Sequence, residues 1–424
     1  MTTHDAFERN LSVWLHDEAE GHVPDHLRET LQRTATTRQR PTWSSLERWF
    51  PVVTTFRRSV FGRHAPVRQV AWLVLIALIV TAFVAIAVGS RPARLPEPFG
   101  LARNGSIVTS RDGDIYLLDP SATESRLISG GDGFDFSPIF SRDGTKMAFL
   151  RSDGPIAEPA ILTLFVANAD GSGIRPLTPP TESFDWFDWS PDGTRVAYVA
   201  KGALWVVDLA GGEPRGLQTF GRVHFPTWLP PGGNEIVYRL ETLGPGIFAI
   251  AADGTDEKRR LTTKDANNEY DFQAIALSPD GAHVTFTRWS DQAMPRVFSL
   301  DIASGQETIF PTLPGTGQRG IAVYSPDGTQ VAYARVYREG AFQIVVANAD
   351  GSGNERTIGP KKPGPIDGGS VDASWAFAPD GTALVVRYGN DEDGSSQLLP
   401  LDGSPATDLG SGGFEFVDVQ RLAP

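Results

Sequence analysis

The sequence predicts an all-β protein built as a seven-bladed β-propeller, and three observations support that prediction. A hairpin-building phrase recurs along the chain, its spacing matches the size of a four-stranded blade, and the two ends of the repeat array complement each other. The clearest copies of the phrase are Ser190-Pro191-Asp192-Gly193, Ser278-Pro279-Asp280-Gly281 and Ser325-Pro326-Asp327-Gly328. The looser copies are Ser141-Arg142-Asp143-Gly144, Leu229-Pro230-Pro231-Gly232, Ala378-Pro379-Asp380-Gly381 and Asn104-Gly105.

Each residue type in the phrase suits a tight turn between two strands. Proline presets φ near −65°, aspartate suits the next position, and glycine accepts positive φ. In one repeat, residues 184–190 precede the turn as a first strand, residues 195–200 follow it, and residues 204–209 form a third strand. The turn recurs at intervals of 39 to 53 residues, which is typical of propeller blades. The segment VANADGSG occurs twice, at 166–173 and 346–353, which supports the repeat.

The ends of the array indicate how the ring closes. The first repeat, from Gly105, has a second and a third strand but no first strand before it, whereas residues 414–420 resemble a first strand with nothing after it. Pairing these ends would remove two open sheet edges, which otherwise invite aggregation. We therefore predict seven blades, closed between residues 414–420 and 105–110. Six blades are the alternative, because the repeat that ends at Pro231 is short.

The Trp-Ser-Pro-Asp-Gly phrase that begins at Trp189, with weaker forms at Trp228 and Trp375, resembles the repeats of TolB-like β-propellers. It is also similar to the propellers attached to prolyl oligopeptidase-type and tricorn-type proteases. The resemblance covers residues 104–424, about three quarters of the chain, and implies a propeller fold. Because such propellers have many unrelated roles, it implies little about function.

Residues 69–89 (QVAWLVLIALIVTAFVAIAVG) are the second strong feature of the chain. No charged residue lies between Arg68 and Arg91, and a helix of that length spans a lipid bilayer. We therefore predict a transmembrane helix over 67–90, followed by a linker over 91–103. Seven arginines between residues 38 and 68 precede the span and three between 91 and 103 follow it, which favours a cytoplasmic N-terminus and an extracytoplasmic propeller in a single-pass protein of the cell membrane.

The N-terminal segment, residues 1–66, is predicted to be a short helical and juxtamembrane region. Phe7, Leu11, Trp14 and Leu15 recur at helical spacing and would share one face of an amphipathic helix. A small helical module joined by one span to an outer domain is also the layout of membrane-bound anti-sigma factors. The zinc-binding version of those proteins is excluded, because this chain has no cysteine.

Charge and composition exclude several function classes. Residues 1–100 carry a net charge of +3, whereas residues 101–424 carry −16, which excludes general nucleic-acid binding by the propeller. Cations, basic peptides or neutral glycans suit such a surface better. Without cysteine there are no disulfides and no thiol catalysis, and no Gly-x-Ser-x-Gly pentapeptide provides a serine nucleophile elbow.

The candidate site residues are few. The possible channel-lining or partner-binding residues are His224, Trp186, Trp205 and Trp289. His224 either lines the channel or packs in the blade, and Trp189, Trp228 and Trp375 are expected to pack between blades. His283 is expected to be a solvated strand residue, and each turn aspartate is explained by its own turn. The acidic loops Asp112-Gly113-Asp114 and Asp391-Glu392-Asp393-Gly394 could at most hold a weakly bound cation.

These observations favour a non-catalytic, membrane-anchored propeller that binds a protein, peptide or glycan outside the cytoplasm and acts as a sensor or regulator. We predict no catalytic, metal-binding or cofactor-binding residue and no cofactor. Two alternatives remain open: an anti-sigma-like transmembrane regulator, and a propeller enzyme of lyase or lactonase type with its site at the channel mouth.

Overall fold

The computed structural model of the 424-residue chain describes Leu75, Ile76 and residues 95–424, apart from 122–123, 131–132, 155–159, 242–245, 256–257, 263–269, 291–292, 315, 365–372, 390–393, 412–416 and 424. Ala93–Pro424 form one compact unit and Met1–Pro92 another. No helix within the described part of the chain is long and apolar enough to cross a bilayer. The span predicted at 67–90 lies outside that part, except for the helical residues Leu75 and Ile76, and the helices predicted within 1–66 lie wholly outside it.

The prediction of an all-β, seven-bladed propeller is confirmed. Each blade is an antiparallel sheet of four strands, and one blade has a fifth short strand. Blade 1 contains β29 (Val417–Leu422), β1 (Arg103–Arg111), β2 (Asp114–Leu118) and β3 (Ser125–Ser129). Blade 2 contains β4 (Phe134–Phe140), β5 (Lys146–Ser152), β6 (Ile161–Asn168), β7 (Arg175–Pro176) and β8 (Thr181–Glu182). Blade 3 contains β9 (Phe184–Trp189), β10 (Arg195–Ala200), β11 (Ala203–Asp208) and β12 (Arg215–Gly216).

The remaining blades repeat the same order of strands, with the innermost strand first in the chain. Blade 4 contains β13 (Val223–Trp228), β14 (Glu235–Leu240), β15 (Gly246–Ala251) and β16 (Lys258–Arg260). Blade 5 contains β17 (Tyr270–Leu277), β18 (His283–Ser290), β19 (Ala293–Asp301) and β20 (Glu307–Ile309). Blade 6 contains β21 (Thr316–Tyr324), β22 (Gln330–Tyr337), β23 (Phe342–Asn348) and β24 (Arg356–Lys362). Blade 7 contains β25 (Ala373–Phe377), β26 (Ala383–Tyr388), β27 (Ser395–Pro400) and β28 (Thr407–Ser411).

The C-terminal strand closes the ring as predicted. Strand β29 pairs with β1 antiparallel, with Val419 opposite Ile107 and Leu422 opposite Arg103. The described strand covers Val417–Leu422, and the predicted positions 414–416 lie outside the described residues. Ile107 and Val419 are buried together with Val385 and Leu409 of blade 7. Apolar packing therefore covers the closing pair, and the six-blade alternative is wrong.

The repeated tryptophans pack between blades, as predicted. The indole nitrogen Nε1 of Trp189 donates to the carbonyl of Ile139 at 3.1 Å, and that of Trp228 donates to the carbonyl of Asp188 at 3.2 Å. Each bond joins the innermost strand of one blade to that of the blade before it. A buried tryptophan of this kind contributes a large apolar surface and satisfies its one polar group.

Trp375 departs from this pattern. It is opposite Val386, whereas Phe377 occupies the position that corresponds to Trp189, because two more residues separate Trp375 from the following turn. Trp375 is nevertheless buried, and its Nε1 donates to the carbonyl of Ala332 in the preceding blade at 3.0 Å. The prediction of inter-blade packing was correct for Trp375, but its assignment to the same repeat position was wrong.

The glycines of the repeated turns are required by contacts between blades as well as by their backbone conformation. Gly281 has φ +72°, and a Cβ there would lie 2.9 Å from the carbonyl carbon of Pro230 and overlap its oxygen. Gly144 meets the carbonyl of Arg421 in the same way. Each of these turns is therefore packed against the end of the innermost strand of the preceding blade. We call the side of the disc that carries these turns the turn face.

Two of the looser turns differ from their sequence assignment. In blade 4 the glycine with positive φ is Gly233 rather than Gly232, because this turn is one residue longer than the turn of blade 3. Asn104 and Gly105 form no turn and lie within strand β1. The Asn104 side chain instead donates to Asp380 Oδ2 at 2.9 Å, which joins blade 1 to the turn of blade 7.

The aspartates of the turns accept hydrogen bonds within their own turns, as predicted, and Asp380 in addition accepts the bond from Asn104. Ser278 Oγ donates to Asp280 Oδ1 at 2.6 Å, and the backbone nitrogen of Ala282 donates to the same atom at 3.0 Å. The bond from Ser278 lowers the pKa of Asp280, since it stabilises the ionised form. The turn of blade 6 repeats this arrangement with Ser325 and Asp327.

An arginine on the outermost strand joins several neighbouring blades at the rim. Each of these side chains donates to a backbone carbonyl in the turn between the third and fourth strands of the next blade. The pairs are Arg126 with Asp170, Arg175 with Leu209, Arg215 with Ala252 and Asp253, and Arg356 with Leu401. The carbonyls accept from a charged donor, which strengthens each bond. We call these contacts the rim latches.

Candidate binding site at the channel mouth

The innermost strands enclose a central channel that opens on the turn face and contains a cavity of about 360 Å³. One residue from the corresponding position of each innermost strand lines it. These residues are Asp418, Ile139, Asp188, Thr227, Ala276, Val323 and Ala376, in blade order. Five of the seven positions are therefore apolar or carry only a hydroxyl, and the two carboxylates flank blade 2.

The two carboxylates form a polar sector with the arginine of the blade 2 turn. Arg142 Nη2 lies 3.4 Å from Asp188 Oδ1, and the Asp188 side chain is 13% exposed. The backbone nitrogen of Trp228 donates to Asp188 Oδ2 at 3.1 Å, and that of Phe140 donates to Asp418 Oδ2 at 2.8 Å. Burial raises the pKa of both carboxyl groups, although the charge of Arg142 opposes that shift.

Arg421, just beyond Asp418, holds a part of the linker at the mouth. Its Nη2 donates to the carbonyls of Glu97 at 3.0 Å and Gly100 at 2.7 Å. Burial and the nearby positive charge of Arg142 together lower the pKa of Arg421 to about 10, although the charge of Asp418 opposes the shift. Its Nε is buried and has no hydrogen-bond partner among the described residues. We call residues 97–100 the cap segment.

Pro98, Phe99 and Gly100 of the cap segment line the channel cavity, and Phe99 also contacts the polar sector. Its ring centroid lies 5.5 Å from Arg142 Cζ, within the range of a cation–π contact. Phe99 and Gly100 also border a second cavity, of about 540 Å³, between the turns of blades 5 and 6. That cavity is lined by Asp280, Asp327 and Asp350. The mouth thus combines an apolar channel wall, two guanidinium groups and an acidic border.

His224 lies away from this mouth and does not line the channel cavity. Its Nδ1 is 2.5 Å from Asp185 Oδ2 in blade 3, and its Nε2 is 2.9 Å from Glu241 Oε2 in blade 4. The hydrogen bond with Asp185 raises the pKa of His224, while burial of the ring opposes the shift. The imidazole therefore bridges two blades, which is closer to the packing interpretation than to a channel role.

The three tryptophans proposed as site residues have different surroundings. Trp186 lines the channel cavity and meets the edge of Phe225, with ring centroids 6.0 Å apart. Trp205 packs in blade 3 beneath Gly216, where a Cβ would lie 3.3 Å from the indole, and it is not among the channel-lining residues. Trp289 lies in β18, and its side chain is outside the described residues. Partner binding by Trp186 stays a prediction.

The other sequence candidates are placed as follows. His283 is 44% exposed, with its Nε2 3.7 Å from Asp301 Oδ2, as expected for a solvated strand residue. Where residues are described, no group of three or more histidine, aspartate or glutamate side chains could hold a metal ion, and this includes the loop at Asp112-Gly113-Asp114. Residues 391–393 of the second acidic loop lie outside the described residues.

Comparison with known proteins places this geometry among related propellers, although no family model matches the chain. An uncharacterised protein of Agrobacterium fabrum is 29% identical over 239 residues, which cover 54% of this chain and 77% of the relative. The Tol-Pal system protein TolB of Gluconobacter oxydans is 27% identical over 250 residues, 57% of this chain and 50% of that protein. These relatives support a TolB-like β-propeller.

Solved structures with the same architecture are more distant in sequence. An oligogalacturonate lyase in complex with manganese has a TM-score of 0.54 at 15% identity, covering 73% of this chain and 98% of that one. The tricorn protease has a TM-score of 0.52 at 13% identity, covering 77% of this chain and 36% of that one. At these identities the likeness shows the fold alone.

Sequence reasoning missed the residues that distinguish the mouth of this TolB-like propeller. Arg142 stands in the turn position that other copies fill with proline, and that exception was a usable indication. Asp188 and Asp418 hold the same place in the segments FDWFDWS and FEFVDVQ, whose alignment predicted the closure. The bonds from Arg421 to the cap segment had no indication in the sequence, because Arg421 is more than 300 positions from Glu97 and Gly100.

Proposed function

We propose that this TolB-like propeller is a non-catalytic binding module that takes a protein or peptide partner at the turn-face mouth of its channel. The observation that supports the proposal is that the mouth already accommodates polypeptide. Arg421 binds two backbone carbonyls of the cap segment and Arg142 contacts the ring of Phe99. A guanidinium that binds carbonyl oxygens and an apolar wall beside it suit a peptide better than a glycan.

The charge of the mouth favours a partner with basic residues beside its binding segment. Residues 101–424 carry a net charge of −16, and Asp280, Asp327 and Asp350 border the cavity next to the mouth. Hydrogen bonds from serines lower the pKa of Asp280 and Asp350, so both are ionised at neutral pH. Such a surface attracts basic partners and repels the phosphates of nucleic acids.

The proposal includes a membrane anchor at residues 69–89 and a propeller outside the cytoplasm, in a sensor or regulator whose N-terminal segment is cytoplasmic. The length of the apolar stretch and the arginine bias around it support this topology. Protease added to intact cells should cleave the propeller and leave the N-terminal segment protected. Cleavage of the propeller only after lysis would refute this topology.

The binding proposal is tested by capture with two matched variants of residues 93–424, which form a compact unit. Ala376→Trp fills the channel, whereas Ala210→Trp adds the same side chain to an exposed turn at the rim of blade 3. The wild-type fragment and Ala210→Trp should retain a partner from envelope extract, and Ala376→Trp should lose at least nine-tenths of it. Equal capture by both variants would contradict the proposed site.

The same preparations test the enzymatic alternative. If no fragment retains a partner while the full-length protein cleaves a peptide, a polysaccharide or a lactone, the binding proposal is wrong. Full-length protein should therefore be assayed beside each fragment, with circular dichroism to establish that both variants are folded.

A further inference from the structure

We propose that the cap segment occupies the partner site in cis, so that the mouth is closed until a peptide carrying an aromatic side chain displaces residues 97–100. The inference rests on the proposed function for the identity of the site. It adds the chemistry of the ligand, which is an extended segment with an aromatic residue between two carbonyls that Arg421 can bind. It also adds that the free protein is autoinhibited.

The cap segment is bound in the way that a peptide ligand would be. It forms none of the strands of the ring, and its described contacts with the mouth come from side chains of other elements. Arg421 spans it by binding the carbonyls of Glu97 and Gly100, and between these the ring of Phe99 approaches Arg142. Backbone carbonyls combined with one side chain in a pocket are a common basis of peptide recognition.

The cap segment can also be released from the mouth without disturbing the propeller. Its flanking residues Leu95 and Leu101 are 57% and 56% exposed, whereas Pro96 and Ala102 beside them are buried. The next anchoring contact is the bond from the backbone nitrogen of Ala102 to the carbonyl of Pro379 at 2.9 Å. Release of residues 97–100 would therefore leave strand β1 and the ring closure in place.

The cap segment leaves one hydrogen-bond donor of the mouth without an acceptor among the described residues. Arg421 Nε is buried without a hydrogen-bond partner among the described residues, although the guanidinium can donate five hydrogen bonds. A partner peptide that supplied one more acceptor, from a side-chain carboxylate or a carbonyl, would bind the same guanidinium more fully. The competition between cap segment and partner would then favour the partner despite the high local concentration of the tethered cap.

If the cap segment occupies the mouth, the protein should bind an added peptide with measurably lower apparent affinity. A site that is open in only a fraction of molecules binds its ligand more weakly by that fraction, so a mouth that is open about one time in a hundred binds about 100-fold more weakly. Removal of the aromatic side chain of Phe99 should open the mouth without altering the closed propeller, because Phe99 lies outside every strand. We expect Phe99→Ala to raise the affinity for an added peptide at least tenfold.

The test uses full-length protein purified in detergent and a fluorescein-labelled peptide with the sequence of residues 93–103 (ARLPEPFGLAR), followed by fluorescence anisotropy. Phe99→Ala should bind this probe at least tenfold more tightly than wild type. Leu95→Ala is the matched control and should bind as wild type does, since Leu95 is exposed and outside the cap segment. A probe with alanine in place of its phenylalanine should not bind Phe99→Ala.

The outcomes are distinct. Adding Arg421→Gln to Phe99→Ala should abolish probe binding, and retained binding would show that the probe does not use the mouth. Equal affinities of wild type and Phe99→Ala, or no binding to either, would overturn the proposal of cis occupation. Neither result would bear on the capture experiment with Ala376→Trp, so failure of this inference can be told from failure of the proposed function.

Discussion

The contact between successive turns predicts that Gly281→Ala destabilises the propeller more than its backbone conformation alone requires. At φ +72° an alanine costs about 1–2 kcal/mol, because left-handed backbone is unfavourable for residues with a Cβ. The added Cβ would also overlap the carbonyl oxygen of Pro230, and relief of such overpacking costs about 1–3 kcal/mol more. The expected loss in free energy of unfolding is therefore about 2–5 kcal/mol.

Gly305→Ala is the matched control for this substitution. Gly305 has φ +73°, and a Cβ there would have no heavy atom within 4 Å. It should cost only the backbone term, about 1–2 kcal/mol. Urea unfolding of residues 93–424, followed by tryptophan fluorescence, gives both values. Equal losses for the two variants would refute the argument that successive turns are packed too closely for a side chain.

Three further predictions concern contacts that hold the blades together. Hydrogen bonding to Asp185 raises the pKa of His224, so the protonated side chain stabilises the folded state by about 1 kcal/mol or less. This stabilisation should be complete below about pH 6.5 and lost as pH rises through the raised pKa. His224→Gln should remove that pH dependence of urea unfolding between pH 6 and 9, and an unchanged profile would contradict it. Arg356→Ala removes a rim latch and should cost about 0.5–1.5 kcal/mol in the same assay, so an unchanged midpoint would argue against the latch. A chain that ends before Val417 lacks β29 and should self-associate in size-exclusion chromatography, whereas a monomer that unfolds cooperatively would show that closure is dispensable.

The fold was predictable because the repeat contains its own turn chemistry. The phrase around Asp280 specifies a hairpin through local hydrogen bonds, so its recurrence located the blades without any knowledge of long-range contacts. The unmatched strand near the C-terminus then indicated closure. The prediction was least accurate where extra residues shift the register, as before the turn that follows Trp375 and in the turn that ends at Gly233.

The candidate site was much less predictable than the fold. Histidine and tryptophan were proposed for their chemistry, yet His224 bridges two blades through Asp185 and Glu241, and Trp205 packs within one blade. The mouth instead depends on Arg421 and the cap segment, which come from opposite ends of the propeller sequence and meet only after the ring has closed. No spacing rule applied to the sequence relates two residues of that kind.

The most direct test of the central claim, that the channel mouth binds the partner, is site-specific photo-crosslinking in cells. A photoreactive phenylalanine analogue replaces Thr227 in the channel wall or, as the control, Ala210 at the exposed rim. Irradiation should produce a discrete adduct of higher mass from position 227 and none from position 210, with more adduct when Phe99→Ala opens the mouth. An adduct from the rim position alone would contradict the claim.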